Sequence, residues 1–187
     1  MNFNPMRPWN ILSTHHVLNL PPWFSVLRDC IKLPSGRIID DYYRIESQDY
    51  AIVCAQDNDG RVLLERQFKP SVGRFVLTSP AGGIQPNEIP DQAAQRELLE
   101  ETGYCSSYWQ GLGSFVVDGT RGICRAHFFH ARSIIKTNDP LDDEMESCEL
   151  VFLDSMQVRQ HIMNENICLL PDIALLALTI LADTSSK

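Results

Sequence analysis

Residues 82–104 read GGIQPNEIPDQAAQRELLEETGY, a glycine turn running into one short helix that carries Glu97, Glu100 and Glu101. Proline suits a first helical position, so Pro90 marks the start, and Asp91 and Glu88 sit favourably near the positive end of the helix dipole. Gly103 marks the end, because glycine accepts the left-handed conformation of a C-terminal cap. Ala93, Ala94 and Leu98 offer a small-residue face for close packing on a sheet. The glutamates, at offsets i, i+3 and i+4, share one face directed into a cleft, where like charges repel by a few tenths of a kcal/mol per pair. A divalent cation would neutralise them, since hard ions such as Mg2+ prefer carboxylate oxygens and often sit against substrate phosphates. The competing reading is a solvated helix face with an Arg96 to Glu100 ion pair one turn apart.

Strand signals surround this segment. Two hairpins are expected, 24–33 with 37–45 around Pro34-Ser35-Gly36, and 50–55 with 62–68 around Asp57-Asn58-Asp59-Gly60. The imperfect alternation of RVLLERQF suits a strand buried on both faces. Shorter strands are expected at 75–77, 109–117, 126–131 and 148–153. Asp154 caps a helix to about residue 164, and an apolar helix at 172–183 packs on the sheet. Residues 1–20, with prolines, asparagines and the adjacent His15 and His16, read as irregular. The interleaving predicts an α/β (α+β) fold: a mixed β-sheet sandwiched between helices, with an N-terminal β-hairpin extension at 1–46 and the main domain at 47–187.

At 187 residues and 44% hydrophobic content the chain can bury a full core. A formal charge of -8 and a pI near 5.0 exclude basic nucleic-acid and membrane surfaces. Six cysteines without a CxxC pair or zinc-like spacing point to buried free thiols in a reducing compartment, hence the cytoplasm. The N-terminal MNFNPMRPWN lacks a basic region followed by an apolar stretch, and the apolar run 173–182 is too short to span a bilayer.

The 82–104 segment resembles the Nudix box, G-x5-E-x7-R-E-U-x-E-E-x-G-U with U a bulky aliphatic residue. Gly82, Glu88, Arg96, Glu97, Leu98, Glu100, Glu101 and Gly103 fill the pattern, and Tyr104 departs from it at the closing aliphatic position. A wider likeness to the ADP-ribose and nucleotide-sugar pyrophosphatase branch is carried by LPSGRIIDDYY, LLERQFK, SPAGG and AHFFHA. The resemblance implies hydrolysis of the diphosphate of a nucleoside diphosphate sugar or ADP-ribose, dependent on Mg2+ with Mn2+ as a substitute. It also implies a homodimer with exchanged N-terminal strands from 20–45. By resemblance, Glu97 and Glu101 ligate metal directly, Glu100 directly or through water, and the Ala81 carbonyl joins them. Gly82 and Gly83 then let the backbone approach metal and diphosphate, and an Arg96–Glu88 ion pair ties the glycine loop to the helix.

The base that activates water resembles a loop glutamate, here Glu144 or Glu146, with Glu97 or Glu100 as the option used in other branches. Arg66 and Lys69 are candidates to clamp phosphate oxygens. Trp23 and Phe24 stand where relatives place an aromatic that stacks on the nucleobase across a dimer interface, with core packing as the alternative for one of them. The stretch FVVDGTRGICRAHFF departs from the ADP-ribose pattern. It places Asp118, Gly119, Arg121 and Gly122 where a proline-glycine turn and a glutamate are usual, and Arg121 becomes a phosphate or sugar contact. Thr78 likewise replaces an acidic residue. His127 and His130, on an expected strand, read as structural. A Nudix-fold sensor that binds a nucleotide sugar without turning it over is the second hypothesis.

Overall fold

The computed structural model describes residues 7–140 and 148–184, which divide into two compact units. The first unit comprises the chain up to Gln48 together with Val116–Arg125. It holds an antiparallel sheet of β1 (Asn10–Leu20), β2 (Phe24–Lys32) and β3 (Ile38–Ser47), in that order. The sequence expectation of an irregular stretch at 1–20 is corrected for residues 10–20. Their β structure comes from backbone pairing with β2, from Asn10 opposite Lys32 to Leu20 opposite Phe24, and the nearest prolines, Pro8 and Pro21, lie outside the strand. Leu27 and Ile31 are buried in this unit, whereas every residue of β1 is exposed.

Asp29 is buried on β2 and accepts hydrogen bonds from Thr14 Oγ1 at 2.7 Å and Arg44 Nε at 2.5 Å. The Arg44 guanidinium holds its carboxyl below the ordinary aspartate value, against the opposing effect of burial. The loop 117–124 joins β3 through Ile45 N to Arg121 O at 3.0 Å and Ser47 N to Ile123 O at 2.8 Å. Linear reading divides the chain once near residue 46, while the folded first unit also recruits this later loop.

In the second unit a seven-stranded mixed sheet is assembled from β4 (Tyr50–Gln56), β5 (Val62–Lys69), β6 (Arg74–Thr78) and β7 (Ala81–Gly83). After helix α1 (Pro90–Thr102) and the short β8 (Tyr104–Cys105), the sheet continues with β9 (Tyr108–Val116) and β10 (Arg125–Arg132). A two-residue β11 (Ile135–Lys136) pairs with β8, and β12 (Glu149–Leu153) completes the large sheet. Helices α2 (Ser155–Met163) and α3 (Leu170–Thr184) close the chain. The main path runs β12-β5-β4-β10-β9, with β6 on β5 and β7 on β4; β10 and β4 are parallel, and β5 is antiparallel to β4, β6 and β12.

Strand periodicity sends side chains to two apolar layers. Ala51, Val53 and Ala55 of β4 join Leu63, Phe129 and Ala131 against Ala93, Ala94 and Leu98 of α1. Ile52 and Cys54 join Leu64 and Phe128 against Val158 of α2 and Leu175 and Leu176 of α3. Each fully buried leucine or phenylalanine stabilises the unit by ~1.5–3 kcal/mol, so both layers hold the sheet between helices, the expected fold class. His130 is buried with Nε2 2.5 Å from Gln56 Oε1, and His127 Nε2 lies 3.8 Å from Asp49. None of the six cysteines forms a disulfide, but only Cys54 is buried, which corrects the expectation of uniformly buried thiols. Among the described residues no helix is long and apolar enough to cross a membrane.

Candidate active site

The site begins where β6 leaves the sheet. Ser79 and Pro80 carry the chain from β6 on β5 to β7 on β4, where Ala81 pairs with Ile52, Gly82 with Ala51 and Gly83 with Tyr50. Val53 N donates to Pro80 O at 2.9 Å, so this crossing is fixed to the central strand. A Cβ on Gly82 would overlap the Glu97 carboxylate, which shows that the helix side chain lies directly on the strand backbone. Gly103 ends α1 at φ 74°, donating to Leu99 O at 2.8 Å, and a side chain there would meet the Asn138 carbonyl.

Arg96 gathers the loop and the helix. Its Nε and Nη2 bond both carboxylate oxygens of Glu88 at 2.8 and 3.0 Å, and Nη2 also donates to Gly83 O at 2.9 Å. The same guanidinium reaches Glu97 Oε1 at 2.6 Å and Glu100 Oε2 at 3.0 Å through Nη1. The Glu88 carboxylate, followed by Glu97 and Glu100, raises the Arg96 pKa further against the effect of burial. Glu88 in turn is held below its ordinary value by Arg96 and by the Gln85 N–H.

Glu101 turns the other way, its Oε2 accepting from Ala81 N at 2.8 Å. Glu97 is buried rather than open to a cleft as expected, because Gly82 leaves room for it. Among the described residues no three His, Cys, Asp or Glu side chains already converge as a cation cluster. The donor set nevertheless suits a hard divalent ion: three carboxylates on consecutive turns beside a strand that carries no side chain at Gly82.

Beside Glu101 opens a cavity of about 270 Å3 whose lining includes Gln67, Lys69, Thr78, Gly82 and Asp172. The two-residue period of β5 explains the membership. Glu65, Gln67 and Lys69 share one face, and Gln67 Nε2 donates to Glu65 Oε2 at 3.1 Å and Thr78 Oγ1 at 2.7 Å. Arg66 lies on the opposite face, 3.3 Å from Glu149 and 4.6 Å above the Phe75 ring, in the lining of a separate cavity of about 230 Å3.

Sequence reasoning missed Asp172. It lies in the first turn of α3, almost wholly buried, and its Oδ1 accepts from Ser79 N at 2.6 Å. Burial pushes its carboxyl up to about 6, opposed by the Ser79 N–H hydrogen bond and the charge of Lys69. The available signal was an acid in the first turn of an otherwise apolar helix, which is equally the signature of a surface cap.

Glu144 and Glu146 lie outside the described residues. Trp23 and Phe24 belong to the first unit and are both exposed, Trp23 at 73%. Arg121, also in that unit, pairs with Asp118 at 3.0 Å.

Comparison with known families and proteins bears on the family and the fold. A family profile described as NUDIX domain matches residues 47–171, and one described as nucleoside diphosphate sugar hydrolase N-terminal domain matches residues 9–45. An ADP-ribose pyrophosphatase of Bacillus subtilis (strain 168) is 25% identical over 132 residues, covering 68% of this chain and 71% of that protein. An ADP-sugar pyrophosphatase of Mus musculus is 39% identical over 66 residues, 35% of this chain and 30% of that protein. A solved structure titled as an ADP compounds hydrolase superposes with a TM-score of 0.86 over 99% of both chains at 17% identity, a likeness of fold.

Proposed function

This chain belongs to the Nudix family and is a hydrolase of it, and from that premise we propose that it cleaves the diphosphate of ADP-ribose or a nucleoside diphosphate sugar. The products are a nucleoside monophosphate and a sugar phosphate. The observation that carries this is the placement of Glu101 at both the Ala81 backbone and a cavity lined in part by Lys69, Gln67 and Thr78. The pyrophosphatases among the relatives support the substrate class, as does the nucleoside diphosphate sugar hydrolase match over residues 9–45.

Glu97, Glu100 and Glu101, with the Ala81 carbonyl, are the residues that would hold a divalent cation, Mg2+ first and Mn2+ as a substitute. Such an ion, when bound, supplies charge neutralisation at phosphoryl oxygens and a lowered water pKa. The chain itself does the rest. Lys69 holds a nonbridging oxygen in the cavity, and Gln67 and Thr78 orient polar groups of the substrate. A glutamate, Glu144 or Glu146 of the loop or Glu100 of the helix, takes the proton of the attacking water. The water oxygen bonds to phosphorus, and the bond from phosphorus to the bridging oxygen breaks, leaving the electron pair on the departing phosphate. Arg96 and Glu88 hold the glycine loop against α1 while this happens.

Exposed Ile11, Leu12, Val17, Leu18 and Trp23 support a homodimer formed through the first unit. The test is phosphate release, after phosphatase coupling, from ADP-ribose, ADP-glucose, GDP-mannose and UDP-glucose with Mg2+. Turnover of at least one is expected. Silence across the panel in folded, metal-loaded protein would replace the enzyme with a sensor of the same ligands.

A further inference from the structure

Between β6 and β7 the chain crosses through Ser79-Pro80-Ala81, and proline has no N–H, so the crossing has two backbone donors flanking Pro80. Each ends on a carboxylate from a different helix. Ala81 N donates to Glu101 of α1 at 2.8 Å, and Ser79 N donates to Asp172 of α3 at 2.6 Å. The Pro80 carbonyl accepts from Val53 N at 2.9 Å, and Leu77 N, just upstream, donates to Asn166 O at 2.8 Å. This crossing therefore hangs on four defined bonds. Two of them tie it to the sheet and to the chain before α3, one to the box helix, and one to a buried acid that lines the same cavity as Glu101 and Lys69.

We propose that Asp172 is a positioning residue for the metal site: by accepting the Ser79 N–H it fixes the Ser79–Pro80–Ala81 crossing, and so sets Ala81 against Glu101. This rests on the assignment of Ala81 and Glu101 to metal binding. A buried N–H that loses its acceptor must find another by moving, and the nearest freedom is in the crossing itself. A surface cap of α3 would act on the helix alone, whereas Asp172 is bonded to a segment 93 residues away in the chain.

The experiment is Mn2+ titration of the full chain followed by electron paramagnetic resonance, for wild type, Glu101→Gln, Asp172→Ala and Asp172→Asn, with a melting curve for each. Loss of an outer hydrogen-bond partner is expected to weaken Mn2+ binding about tenfold or more in Asp172→Ala, while Asp172→Asn, which retains an acceptor oxygen, stays within about threefold of wild type. If Asp172→Ala does not fold, Asp172→Leu, similar in shape and without an acceptor, is read in its place. Unchanged Mn2+ affinity in the folded acceptor-less variant overturns the inference, and so does equal loss in Asp172→Asn. Absence of Mn2+ binding by wild type, or its full retention in Glu101→Gln, removes instead the underlying metal assignment.

Discussion

Replacing Asp172 by asparagine tests the energetic cost of burying an acid at this site. The folded-state carboxyl titrates at about 6 against an ordinary value of 3.8, because desolvation outweighs the Ser79 N–H hydrogen bond and the Lys69 charge. A value raised on folding means that the native state binds the proton more tightly. The resulting stability is fully present below about pH 4 and is lost as pH rises through about 6. Two pH units correspond to ~3 kcal/mol, an upper figure for a group whose surroundings can relax. Asparagine carries no charge at any of these values and keeps an oxygen for Ser79 N. The variant should therefore differ little from wild type at pH 4 and be more stable by ~1–3 kcal/mol at pH 8, about 3–10 °C in melting temperature for a chain of this size. Urea denaturation between pH 4 and 8, followed by circular dichroism in the presence of a chelator, measures the difference without bound cations. A difference independent of pH, or a less stable variant at pH 8, would refute the account of Asp172 as a desolvated, ionising acid.

Glu101→Gln should lower turnover by about two to three orders of magnitude while the melting temperature stays near wild type, since a neutral amide still accepts from Ala81 N; wild-type rates in a coupled phosphate assay would remove the assignment. Gly82→Ala places a methyl where the Glu97 carboxylate lies and should destabilise the chain by ~1–3 kcal/mol and abolish Mn2+ binding, read by denaturation and titration together. Arg96→Met leaves Glu88 only the Gln85 N–H, so the stability that Glu88 contributes above its ordinary value of 4.5, and loses as pH falls, should shrink on the acid limb of the denaturation profile. Glu144→Gln and Glu146→Gln, compared separately, should show one large loss in turnover if the loop supplies the base; two mild effects return that role to Glu100.

Local chemistry made much of this protein legible in its residues. Pro90 and Gly103 delimit α1, Asp154 caps α2 by accepting Gln157 N at 2.8 Å, and the turns at Pro34-Ser35-Gly36 and Asp57-Gly60 separate the expected strands. The box spacing put Glu88 and Arg96 within reach of one another, because eight residues of loop and helix limit where they can go. The strand at Asn10–Leu20 was not legible, since its hydrogen bonds belong to β2 rather than to its own sequence. The same holds for the three-residue β7, which exists only by pairing with β4.

Strand parity separates Arg66 from Lys69, but only the packed sheet decides that Lys69 faces the cavity with Glu101 while Arg66 turns to Glu149. Asp172 depends on tertiary structure most of all. Its environment is made by Ser79 and Lys69, distant in the chain, and desolvation is a property of the filled space around a group rather than of its neighbours in sequence. Short-range spacing thus determined the acidic helix and its loop, and the three-dimensional packing alone decided which charges meet across them.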